Sequence, residues 1–301
     1  MKKILTITAI CLSFAKIFAQ DNAQFTQFHA NRLFYNPAAT GFSDKFLASL
    51  TYRTQWTGSP NTAARPNFML LNAAQYFADK RSGVGLSIYH ATQNVQRDLQ
   101  VKLSYAYHLQ VQEESWLAMG LNVGMFSSGI RDGVPKEGGI RDETYNMSDL
   151  GFGVEFYTPE LQVGVSAQHI PVVLGSPEAR RNRQHTHFYY YGTYFYAVDN
   201  EWTVIPSVIL RNSSIITNVD AVVRVSYLNM FQLGVSWRRD AVSILMGFSF
   251  EDTYSIGYSF DIATMGMRGT RPSHEIVLNY RTQLLNNQDT RLQRLGPSND
   301  F

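Results

Sequence analysis

Apolar and polar residues alternate along most of this chain with a period of two. Between positions 99 and 111, Leu99, Val101, Leu103, Tyr105, Tyr107, Leu109 and Val111 fall on one side, and Gln100, Lys102, Ser104, Ala106, His108 and Gln110 on the other. That period specifies a long β-strand with one apolar and one polar face. Similar segments occupy 46–56, 67–77, 83–92, 99–110, 116–126, 150–157, 161–169, 186–197, 202–211, 219–227, 230–238, 241–250, 254–262 and 274–282, fourteen in all. Segments near ten residues match a tilted bilayer-crossing strand of about 9–11 residues, whereas strands of a soluble sandwich or propeller average about five or six. No apolar run outside the first residues approaches the ~18 needed for a membrane-spanning helix.

The connections carry a second pattern. Asp79-Lys80-Arg81-Ser82, Gln112-Glu113-Glu114, Thr158-Pro159-Glu160, Asp199-Asn200, Leu228-Asn229 and Glu251-Asp252-Thr253 are short. The intervening connections include Thr57 to Pro66, Ser127 to Asp149, Ile170 to His185 and Ala263 to Ser273, which are long. Short turns at one end, long loops at the other and an even strand count describe an outer-membrane barrel with both termini in the periplasm. The expected fold is all-β, a transmembrane outer-membrane β-barrel of about 14 antiparallel strands. Leu117, Met119, Leu121, Val123 and Met125 then face lipid, opposite Ala118, Gly120, Asn122 and Gly124. Glycines such as Gly83, Gly153 and Gly257 suit curvature and close approach inside a barrel. Pro206 lacks a ladder donor, so a bulge is expected there.

The ends do not alternate. Lys2 and Lys3, the apolar stretch Ile4 to Ala15 and Ile17-Phe18-Ala19 form a secretory signal peptide. The expected organisation is a signal peptide over 1–19, a periplasmic or plug segment over 20–44, the barrel over 45–282 and a polar periplasmic tail over 283–301. Cleavage lowers Lys plus Arg from 26 to 23 against 24 Asp plus Glu, so the net charge of +2 becomes −1. Neither that charge nor an exported location supports a nucleic-acid partner. Cys11 is the only cysteine and lies in the signal peptide, which leaves no disulfide framework in the mature chain.

Candidate chemistry is sparse. His185 and His187 share a strand face but lack a third ligand, and Asp132-Gly133 to Asp142-Glu143 lacks the spacing of a calcium loop. His90 and His108 lie on neighbouring strands, but no G-x-S-x-G or H-E-x-x-H motif accompanies them. No catalytic residue, metal or cofactor is therefore expected, and the chain is read as a non-enzyme. Arg180, Arg181, Arg183, Arg268 and Arg271 cluster in two outer loops, as solvated residues or as contacts to lipopolysaccharide phosphates or an extracellular client.

Three motif stretches point to a family. Gln24-Phe25-Thr26-Gln27-Phe28 with Leu33-Phe34-Tyr35-Asn36-Pro37-Ala38-Ala39-Thr40-Gly41 resembles the start of the PorP/SprF family of type IX secretion outer-membrane proteins. Tyr52-Arg53-Thr54-Gln55-Trp56 resembles its YRxQW first strand, and Ser273-His274-Glu275-Ile276 its closing SHEI strand. Arg32 departs from the pattern, since relatives commonly carry proline there. The resemblance implies a non-enzymatic outer-membrane component of the type IX machinery of Bacteroidetes, supporting export or surface anchoring of a large secreted client such as a gliding adhesin. Implied partners are outer-membrane lipid, type IX secretion components and a periplasmic peptidoglycan-linked protein. Phe25, Phe28, Phe34, Tyr35, Asn36, Pro37, Gly41, Tyr52, Arg53, Trp56, His274 and Glu275 are candidate partner contacts, with the alternative that the N-terminal aromatics plug the barrel mouth. A small-solute transporter with an N-terminal plug is the second functional expectation.

Overall fold

The computed structural model describes residues 24–43, 45–57, 65–77, 81–94, 96–130, 144–171, 186–213, 217–264 and 272–284. The strands are β1 (Phe46–Thr54), β2 (Asn67–Phe77), β3 (Ser82–Gln93), β4 (Gln96–Gln112), β5 (Ser115–Ile130), β6 (Thr144–Tyr157) and β7 (Leu161–Pro171). Then follow β8 (His187–Tyr194), β9 (Tyr196–Ala197), β10 (Trp202–Asn212), β11 (Thr217–Tyr227), β12 (Phe231–Arg238), β13 (Ala241–Phe250), β14 (Tyr254–Ala263) and β15 (Ser273–Thr282). β8 and β9 are one strand interrupted at Phe195, both paired with β10. Fourteen staves result. Each is antiparallel to its neighbours, and β15 pairs with β1, so the sheet closes without a free edge.

The alternation has become an inside and an outside. Leu103 is 58% exposed on the outer wall while Lys102 beside it is 2% exposed in the lumen. All the apolar positions from Leu99 to Val111 point outward, and Gln100, Lys102, Ser104 and His108 are buried. Aromatic pairs mark the outer wall near the short turns: Trp202 with Tyr227, Phe231 with Phe248 and Tyr254 with Tyr280. Such rings at one level are the girdle of a barrel at a membrane interface.

Strand ends depart from the sequence expectation. β5 continues to Ile130 and β6 starts at Thr144, so part of the expected loop from Ser127 to Asp149 is sheet. Main-chain pairing needs no apolar alternation, and Ser127 to Gly129 stay in register with Thr144 to Asn146 although their side chains carry no such signal. The long-loop end also contains tight connections, from Gln93 to Gln96 and from Arg238 to Ala241. Pro206 makes no bulge: it keeps register with Val223 of β11, and the ladder lapses instead on its other side, where β8 breaks before Phe195. Register shifts lie at Gln110/Gln112 and Leu150/Phe152.

Residues 24–43 thread the lumen. A 3-10 turn (Phe28–Asn31), one α-helical turn (Arg32–Tyr35) and a second 3-10 turn (Pro37–Ala39) carry the chain from one end of the barrel to the other. Gln24 lies against Arg238 at the long-loop end, and Gly41 against Gly83 at the short-turn end. Asn36 starts the last turn by accepting from Ala38 N (2.9 Å), with Pro37 at its first position. Phe25, Phe28, Phe34 and Tyr35 pack with inward Phe68, Leu70, Tyr89, Tyr189, Ile209, Val222 and Leu245 as a core inside the barrel. The predicted signal peptide and the tail beyond Leu284 lie outside the described residues.

Candidate functional site: the lumenal segment and its anchors

At the long-loop end the inner wall presents a buried ion network to the incoming segment. Arg53 of β1 bonds Asp261 of β14 (2.6 Å) and Glu275 of β15 (3.1 Å), and Arg238 of β12 bonds Asp261 (3.2 Å). Asp220, 3.8 Å from Arg238, extends it to Arg211. The segment docks on these groups: Thr26 N and Gln27 N each donate to the Glu275 carboxylate at 2.8 Å. Thr26 Oγ1 donates to Asp261 (2.9 Å) and accepts from Arg53 (3.0 Å). Burial of these charges is costly unless every lobe is bonded, and here the segment supplies part of the bonding.

Further along, the wall holds main-chain carbonyls. Lys102 Nζ donates to Phe34 O (3.1 Å) and lies 4.8 Å from the Phe34 ring centroid, and Ser166 Oγ donates to Tyr35 O (2.6 Å). His108 Nε2 donates to Thr40 O (2.8 Å), which leaves Nδ1 to accept from Tyr157 (2.8 Å). Arg32 pairs with Glu155 (2.6 Å), which also accepts from Tyr191. Asn36 donates to Val154 O and Tyr191 Oη, both at 3.1 Å. A Cβ at Gly120 would overlap Pro37 and Ala38, and one at Gly153 would overlap Asn36 Oδ1. The segment therefore approaches the wall as closely as backbone permits.

Little space remains. The gap between His29, Arg32, Leu33 and the wall at Ser49 and Asn72 is about 20 Å³, room for about one water. Burial first, then the charges of Arg224 and Arg32, holds the His29 imidazole well below its ordinary range. Burial likewise pushes the Tyr35 phenol up to about 12. Both side chains are thus kept neutral inside the barrel.

The three motif stretches converge: Thr26 and Gln27, Arg53 and Glu275 meet in one cluster. Phe25, Phe28, Phe34, Tyr35, Asn36 and Pro37 are buried in the lumen, and Gly41 takes φ +70° where it crosses Gly83. Tyr52 points outward, bonded to Asn67 (3.2 Å). Trp56 sits just past β1 at φ 55°, and His274 bonds Tyr258 (2.7 Å) and Thr57 (3.0 Å). Arg180, Arg181, Arg183, Arg268, Arg271, His185 and the acidic stretch 132–143 lie outside the described residues. Among the described residues no three His, Cys, Asp or Glu side chains gather as a metal site. His187 meets His169 edge to face, ring centroids 5.3 Å apart, and His90 meets Thr92. Lys102, Glu155, Ser166 and Asp261 did not stand out in the sequence, where each reads as one more polar residue on a lumen-facing side.

No curated protein matches the sequence. The fold is similar to the Ralstonia pickettii toluene transporter TbuX, at 11% identity over 83% of this chain and 92% of that one, with a TM-score of 0.52. It is similar also to the CymD monoaromatic hydrocarbon channel, at 10% identity over 90% and 96% of the two chains, with a TM-score of 0.51. These likenesses establish an outer-membrane barrel fold. The model of the family described as type IX secretion system membrane protein PorP/SprF matches residues 17–280. The chain, from its lumenal segment to its closing strand, belongs to the PorP/SprF family of type IX secretion system membrane proteins.

Proposed function

We propose that this protein is a non-enzymatic outer-membrane part of the type IX secretion system that supports export or surface anchoring of a large client protein. Family membership implies the secretion role, and the observation that supports the finer reading is the lumen occupied by residues 24–41, anchored at Glu275, with a gap of only about 20 Å³ beside His29. In this reading the short turns face the periplasm, where type IX components and a peptidoglycan-linked protein are met. The long loops, with Arg180, Arg181, Arg183, Arg268 and Arg271, face the client. The test is deletion of the gene with measurement of surface and secreted proteins, together with pull-down from detergent-solubilised outer membranes. Loss of one large surface protein and recovery of type IX components support the reading. Unchanged secretion in a strain lacking any related paralogue refutes it.

One observation favours a second reading, a channel for a small apolar solute. Phe68, Leu70, Ile209, Val222 and Leu245 make the middle of the lumen apolar, and it would be open if the segment left. Uptake or conductance that rises when the segment is released, without any effect on a surface protein, would favour this reading over the first.

A further inference from the structure

The connections at the short-turn end are not alike. Gln112-Glu113-Glu114 and Thr158-Pro159-Glu160 are polar, but the β11–β12 turn exposes Leu228 and Met230 at its tip, and the neighbouring β9–β10 turn exposes Val198. Leu228 also takes φ 51°, in a tight hairpin turn where asparagine or glycine is usual. Main-chain bonds, each of 2.7 Å, tie three turns into one ledge: Leu228 N donates to Glu201 O, Ser249 N to Met230 O and Arg281 N to Thr253 O. Around the apolar tip stand the exposed carboxylates of Asp199, Glu201, Glu251 and Asp252, and Arg281 is the one described cation of the ledge. Asp199 accepts from Glu201 N and Trp202 N of its own turn. Among the described residues, Glu201, Glu251 and Asp252 pair with no lysine or arginine. The ledge is therefore an apolar centre within an unneutralised acidic rim.

The chain's own continuation carries the complementary pattern. It leaves β15 at Thr282, beside the β13–β14 turn, and residues 285–301 include Arg291-Leu292-Gln293-Arg294-Leu295, with cations and leucines each three apart. Neighbouring strands lie about 4.8 Å apart, so the β11–β12 turn is roughly 15–19 Å from the end of β15 along the rim. Residues 285–291, fully extended, span about 23 Å, which brings Arg291 to Leu295 onto the ledge. A tether of that length holds the tail at an effective concentration of roughly millimolar, enough for contacts that are individually weak. We propose that residues 285–301 dock across this ledge, with Leu292 and Leu295 on the apolar tip at Leu228 and Met230, and Arg291 and Arg294 on the carboxylates of Glu201, Glu251 and Asp252. The tail is then a strap over the apolar turn. Lipid is the poorer cover, because seating Leu228 in the bilayer would draw the adjoining Glu201 out of water.

The test uses the full chain, folded in phosphatidylcholine vesicles, with Cys11→Ser removing the native cysteine. Disulfide formation under mild oxidant is timed for Leu228→Cys with Leu295→Cys, and for a control pair, Glu113→Cys with Leu295→Cys. The control lies on the β4–β5 turn, four strands from β15 in the other direction and also within the tail's reach. The first pair is expected to close at least tenfold faster. Arg291→Glu with Arg294→Glu should remove that advantage, and adding Glu201→Arg with Glu251→Arg should restore it. A bimane label on Met230→Cys should shift to longer wavelength when the chain is cut short after Leu284. Equal closure of the two pairs, charge reversal without effect, or a bimane spectrum indifferent to the tail, as a bilayer cover would give, would each overturn the proposal.

Discussion

Removing the carboxylate of Glu275 is expected to free the lumenal segment while the barrel stays folded. Glu275 is 0% exposed and accepts three bonds, from Thr26 N and Gln27 N at 2.8 Å and from Arg53 at 3.1 Å. Hydrogen bonds to a charged group contribute about 1.5–3 kcal/mol each, so Glu275→Ala loses roughly 3 kcal/mol of docking at the lower bound for the two amides. At about 1.4 kcal/mol per factor of ten, the undocked population rises somewhat more than hundredfold. Arg53 keeps Asp261 at 2.6 Å, which is why the wall itself should survive. Cys11 is the only native cysteine, so in a Cys11→Ser background an Ala39→Cys probe, buried at 2% exposure, reports undocking through its rate of maleimide labelling. Labelling tracks the open population when redocking is fast. Glu275→Gln, which retains an oxygen acceptor, should fall between the two. Equal labelling of parent and Glu275→Ala, with heat-modifiability proving both barrels folded, would show that the carboxylate does not hold the segment.

Acidification acts on the same docking. His29 is neutral when docked and regains a pKa of about 6.5 when released, so docking is complete above about pH 6.5 and weakens by up to tenfold per unit below it. Labelling of Ala39→Cys, taken as a ratio to the same probe with His29→Gln to cancel thiol chemistry, should rise between pH 6.5 and 5.5; a flat ratio would refute the assignment. Gly120→Ala, whose Cβ would overlap Pro37 and Ala38, should raise labelling strongly, whereas Gly192→Ala, whose nearest neighbour is 3.9 Å away, should leave it unchanged. On the outer wall, Leu103→Arg should lower stability in lipid vesicles by about 2–4 kcal/mol if that position lies near the bilayer midplane, read from denaturant midpoints. A loss of equal size in detergent and in lipid would contradict the lipid-facing assignment.

The strand count and the two faces were legible because both are local: Leu103 and Lys102 are neighbours in sequence, and the period alone sends them to opposite sides. Strand ends were less so, since Ser127 to Gly129 pair through main-chain groups that leave no side-chain signal. The anchoring network was hidden by distance along the chain. Arg53 and Glu275 each read as a charge on a polar face, and only closure of β1 on β15 sets them opposite one another in register. Gly83, Gly153 and Gly257 read as curvature and close approach inside a barrel, but that the approaching group is the chain's own lumenal segment was not legible in them. At Arg32 the departure from the family's proline has a local explanation. It is the first residue of a helical turn, the place proline would suit, and its guanidinium reaches Glu155 instead.

The threaded path bears on how the barrel assembles. β15 closes the sheet against β1, and the same strand carries the carboxylate that grips Thr26 and Gln27. A ring of strands zipped shut with its lumen empty would bury Glu275 with two of its acceptor positions unfilled, so closing the seam is favoured most when the leading segment is already inside. Insertion and seam closure thus become one cooperative step, and a barrel assembled without its thread is expected to stay ajar at the β1–β15 junction.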